Sequence, residues 1–124
     1  MNVNEHVDVD SRMDFHSLDV YQAALRVQEL LPELTASCGH SLRDQFQRAA
    51  TSILLNVAEG CGRRGRRDRA RFFSMARGSA MECGAIVDII EVRRCAPVVA
   101  GRQGRALLVR IVSMLTRMEQ RARG

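Results

Sequence analysis

Apolar residues recur at spacings of three and four through four stretches of the chain, the period of one buried helix face. In the first stretch Leu18, Tyr21 and Leu25 interleave with Val20, Ala24, Val27, Leu31 and Leu34, which predicts a helix over 17–37 with Ser17 as its N-cap. Pro32 falls late in that pattern, where a fixed φ and a missing N–H kink or shorten a helix. Cys38-Gly39-His40 reads as a stop. A second helix, 42–60, carries Phe46, Ala49, Ala50, Ile53, Leu54, Val57 and Ala58, with Ser41 and Asp44 as a weak capping pair. Gly60-Cys61-Gly62 ends it.

The third helix is predicted over 68–94, with Phe72, Met75, Ala76, Ser79, Ala80, Cys83, Ile86, Val87 and Ile90 on its buried face, and Pro97 blocks its continuation. The fourth, 103–121, repeats Leu107, Leu108, Ile111, Leu115 and Met118; Gly101 and Gly104 weaken its first turn. Short connections make sequential helices antiparallel neighbours. The predicted fold is therefore all-α, an antiparallel up-and-down four-helix bundle over 15–124. Residues 1–14, acidic and without periodicity, are expected to form a disordered leader.

Composition agrees with a single small domain. Among 124 residues, 46% are apolar but only 4% aromatic, so the core is aliphatic, as helices favour. Every basic residue is Arg. Residues 1–20 hold five acids and one Arg, while the remainder holds 18 Arg and nine acids, so a basic body follows an acidic start. That imbalance points to an anionic partner. No secretory leader is recognisable at the N-terminus and no apolar run is long enough to span a membrane, so a cytoplasmic protein with no membrane attachment is expected.

Cys38, Cys61, Cys83 and Cys95 lack paired metal-ligand spacing, and His6, His16 and His40 stand apart from any nucleophile or Glu-x-x-His repeat. Reduced thiols, no metal, no cofactor and no catalytic activity are expected. The turn between the second and third helices also sets a register. Facing residues should sum to about 127 in an antiparallel hairpin, which places Ala49 or Ala50 against Gly78 or Ser79. It also puts Arg48 near Glu82, and Glu59 near Arg69 or Arg71.

Two segments are distinctive. One runs from Gln47 to Arg63 and contains Arg48-Ala49-Ala50, Ser52-Ile53, Asn56, Ala58-Glu59-Gly60 and Gly62-Arg63. The other contains Arg71-Phe72, Ala76-Arg77-Gly78-Ser79 and Glu82. Together with a weaker Phe15–Ala24 segment they resemble the proteins encoded within intervening sequences of bacterial 23S ribosomal RNA genes. They are also similar to accessory proteins of diversity-generating retroelements. The resemblance covers roughly 15–95. Leu54 stands where many relatives have Pro, and so a straighter second helix is expected. What the resemblance implies is a four-helix bundle assembling as a ring-like homopentamer, without catalytic activity, with RNA as a suspected ligand and a reverse transcriptase as partner of the retroelement relatives.

The candidate chemistry lies between the two segments. Arg63, Arg64, Arg66, Arg67, Arg69 and Arg71 place six guanidiniums in nine residues. Such a run either binds phosphates of RNA or DNA or pairs with Glu59, Asp68 or a neighbouring subunit. Arg48, Asn56, Glu59, Arg77 and Glu82 are read as a structural polar network between helices or subunits rather than an active site. Phe72 and Phe73 are adjacent and cannot both point inward, so one is expected at a subunit interface. Two functions fit: an accessory protein that binds nucleic acid, and an oligomeric scaffold that recruits another protein without nucleic acid.

Overall fold

The computed structural model describes residues 12–124. Most of the expected acidic leader, residues 1–11, lies outside the described residues. A single 3-10 turn over Asp14–Ser17 precedes four helices: α1 (Asp19–Thr35), α2 (His40–Gly62), α3 (Arg66–Arg93) and α4 (Val98–Arg123). α2 packs on α1 and α3, and α4 packs on α3 and α1, which closes an up-and-down bundle. The described residues contain no strand, and none of their helices is long and apolar enough to cross a membrane.

The aliphatic stripes meet as the periodicity requires. Val27, Leu34, Phe46, Ile53, Val57, Ile86, Val87, Ile90, Ile111 and Leu115 are almost wholly buried. Each large apolar side chain so buried contributes about 1.5–3 kcal/mol relative to exposure.

The helix ends differ from the expected ones, each for a local reason. Ser17 does not cap α1. It belongs to the 3-10 turn, where its Oγ donates to the Asp14 carbonyl at 3.2 Å, and Leu18 is the N-cap. The Met13 N–H donates to His16 Nδ1, and Gln22 Nε2 donates to the His16 carbonyl, each at 2.9 Å, so the turn is tied to α1. Pro32 lies inside α1 without ending it, and the helix stops at Thr35, whose Oγ1 donates to the Leu31 carbonyl at 2.7 Å. Gly39, at φ +88°, precedes α2, so His40 rather than Ser41 opens that helix. Asp44 meets His40 at 3.2 Å instead of capping. α2 then runs uninterrupted through Leu54 to Gly62.

α4 starts at Val98, well before the expected residue 103, with Pro97 as its N-cap. Gly101 and Gly104 are buried inside it, and a Cβ on Gly104 would sit 3.2 Å from Leu34 Cδ1. The missing side chain at Gly104 lets α4 lie close to α1, that at Gly101 leaves room for Glu91 of α3, and this packing offsets the propensity cost of about 1 kcal/mol per glycine.

The α2–α3 register is shifted by about one helical turn from the expected one. Ser52 Oγ and Ser79 Oγ are hydrogen-bonded at 2.8 Å, and Gly60 lies against Phe73. Gly78, expected against Ala49 or Ala50, is instead exposed, with nothing within 4 Å of where its Cβ would stand.

A second correction concerns the cysteines. Cys38, after α1, and Cys95, after α3, form a disulfide with a Cα–Cα separation of 5.2 Å. Both turns lie at the same end of the bundle, a proximity that a sequence separation of 57 conceals. Cys61 and Cys83 are free thiols.

Candidate nucleic-acid interface

The arginine run occupies the opposite end. Arg63 caps α2, its N–H donating to the Gly60 carbonyl at 3.3 Å, and Gly65 is the N-cap of α3. The three-residue turn thus leaves Arg66 and Arg67 on the first turn of α3, one turn ahead of Arg69 and Arg71.

The six guanidiniums divide into two groups. Arg63 pairs with Glu59 at 3.1 Å and reaches Asp68 at 3.9 Å, and Arg71 pairs with Asp68 at 3.2 Å. Their carbons lie 4.9 and 4.7 Å from the centroid of the Phe72 ring, so two cations clasp one half-buried aromatic. Phe73 takes the inward place, 2% exposed. Arg69 Nη1 donates to the Cys61 and Arg63 carbonyls, both at 3.2 Å, and its guanidinium lies 5.6 Å from the Phe73 ring. These contacts make Arg63, Arg69 and Arg71 part of the turn's own architecture. Exposed pairs of this kind contribute little, about 0.2–1 kcal/mol each.

Arg64, Arg66 and Arg67 form the other group. All three are exposed, and among the described residues none makes a hydrogen bond or an ion pair. They carry charge into solvent without an Asp or Glu partner among the described residues.

The bundle adds arginines that the linear run does not show. Because α4 is antiparallel to α3, its last turns come to the end where α3 begins. Arg66, Arg69 and Arg121 line one cleft together with Phe73, Met118 and Ala122. Arg117 and Arg121 line a second, smaller groove beside Leu18 and Met114. The signal for these was the topology, read together with the i, i+4 spacing of Arg117 and Arg121, rather than any motif.

Among the described residues the five members of the expected polar network do not bond to one another, though Asn56 and Arg77 each take part in contacts between helices. Asn56 Nδ2 donates to the Ser52 carbonyl at 2.9 Å and to Ser52 Oγ at 3.0 Å, which joins it to Ser79. Glu59 turns to Arg63 rather than to Arg69 or Arg71. Arg77 Nε donates to Thr116 Oγ1 on α4 at 2.9 Å. Arg48 and Glu82 are both exposed, and among the described residues no ion pair joins them. Among the described residues no three His, Cys, Asp or Glu side chains gather where they could hold a metal.

A family model for the 23S rRNA-intervening sequence protein matches residues 16–117. No curated protein matches the chain. The matched span takes in all of α1, α2 and α3, the arginine turn, and most of α4. The chain belongs to the 23S rRNA-intervening sequence protein family.

Proposed function

We propose that the protein is a non-catalytic oligomeric accessory protein that binds RNA through the arginine end of its bundle. The observation that carries this reading is the group Arg64, Arg66 and Arg67: three exposed guanidiniums without acidic partners among the described residues, next to Arg121 from α4. Guanidinium forks match phosphate oxygens bidentately, and each neutralised phosphate releases counterions. A closed ring, with a homopentamer as the expected form, presents all copies of that end on one face. Weak contacts then act together.

RNA titrations at several salt concentrations test the reading. Affinity should fall steeply with salt and vary little with sequence. Replacing Arg63, Arg64, Arg66 and Arg67 with Ser should abolish binding and leave the helical circular dichroism intact. Absence of binding by the unaltered protein at low salt would overturn it. Light scattering tests the assembly, and a monomer at micromolar concentration would contradict the ring.

A protein-recruiting scaffold is the second reading. It is favoured by an apolar groove of about 420 Å³ between α3 and α4, where Met81 and Val109 are 55% and 61% exposed.

A further inference from the structure

The cleft between the first turn of α3 and the last turns of α4 differs from the rest of the arginine end. It forms an open recess of about 340 Å³. Arg66 and Arg69 enter it from α3 and Arg121 from α4, and its apolar lining is Phe73, Met118 and Ala122. Among the described residues no Asp or Glu side chain lines it. The acids nearest in sequence are engaged elsewhere, Asp68 by Arg63 and Arg71, and Glu119 by Arg123. Arg69 is held in place through Nη1 by two backbone carbonyls, which leaves its Nε and Nη2 edge unused. Arg66 and Arg121 have no ion pair or hydrogen bond among the described residues.

Three guanidiniums in one recess exceed what an internal phosphodiester needs. That group carries one negative charge on two free oxygens. A terminal phosphomonoester carries nearly two charges at neutral pH, with three oxygens to accept N–H forks. The apolar lining offers no donor or acceptor to a base edge, so it suits the carbon face of a sugar and gives no sequence preference. We propose that this cleft seats the terminal phosphomonoester of an RNA strand whose backbone runs along the arginine turn. This rests on the RNA-binding reading above and adds to it a preference for strand ends.

The test compares one short RNA oligonucleotide in three forms: 5′-phosphorylated, 3′-phosphorylated, and with hydroxyls at both ends. Fluorescence anisotropy at one fixed low salt concentration reads the affinities with the full-length protein. One phosphorylated form should bind about tenfold more tightly than the hydroxyl-ended form, and which form does so identifies the end that is seated. Arg121→Ser should remove that preference, weakening the phosphorylated strand about tenfold more than it weakens the hydroxyl-ended strand. Arg121 is exposed and unpaired, so circular dichroism should be unchanged. Equal affinity for all three forms overturns the phosphate seat and leaves the broader RNA reading standing. A preference that survives Arg121→Ser places the end outside this cleft and also overturns the proposal. Binding of none of the three overturns both.

Discussion

Gly60 lies in contact with the ring of Phe73, so closely that a Cβ at position 60 would stand 2.6 Å from Phe73 Cε1 and 3.3 Å from Phe72 Cβ. This contact brings α2 down onto α3 immediately before the arginine turn. Gly60→Ala gains about 1 kcal/mol of helix propensity. It must also displace a buried ring, and overpacking of that kind costs about 1–3 kcal/mol. The expected outcome is net destabilisation, read as a lower thermal midpoint, together with altered packing of Phe72 and the two arginines on it.

Gly78 is the counter-case. It sits in the middle of α3, exposed, with open space where a Cβ would go. Gly78→Ala should therefore stabilise the monomeric fold by about 0.5–1 kcal/mol, through helix propensity alone. A lower midpoint in chemical denaturation would show that position 78 is covered in the assembled protein.

The disulfide closes a loop of 57 positions. Breaking a cross-link across a loop of that length should cost about 2–4 kcal/mol through the greater freedom of the unfolded chain. Protein purified without reductant should show two reactive thiols after denaturation, those of Cys61 and Cys83, and four after reduction. Thermal melts with and without dithiothreitol measure the stability difference.

Burial in the core, helped by the neighbouring Glu82 charge, pushes the Cys83 thiol up to about 12 from an ordinary 9.0. The unfolded chain releases this proton near its ordinary value while the folded chain keeps it. Stability from this site is therefore whole below pH 9 and declines as pH rises from 9 toward 12. Cys83→Ala should flatten that part of the alkaline stability curve. At pH 8 the native Cys83 should resist maleimide, whereas the unfolded chain should react.

The four helices were legible because aliphatic residues at three- and four-residue spacing report burial directly, and the actual helices match that pattern. Capping was less legible. Ser17 and Ser41 are good capping residues, yet the 3-10 turn and the positive φ of Gly39 move both helix starts. Gly101 and Gly104 looked like breakers because propensity is local, whereas what favours them is the approach of Glu91 from α3 at Gly101 and of Leu34 from α1 at Gly104. The arginine run was visible as a run. Its division into paired and unpaired members depends on where Glu59, Asp68 and Phe72 fall in three dimensions. Arg121 and the Cys38–Cys95 bond were hidden by long sequence separations that the up-and-down topology removes.

The staple and the arginine turn lie at opposite poles of the bundle, and this shapes how the molecule responds to being cut. The turn at 63–67 offers trypsin several exposed arginines. A nick there separates an α1–α2 hairpin from an α3–α4 hairpin, but Cys38 belongs to one fragment and Cys95 to the other. The two halves remain a single covalent species until a reductant is added. The protein is thus built as a tethered split pair. Its proposed RNA edge can be severed while the fragments stay within reach of each other, and a gel run with and without reductant would display that directly.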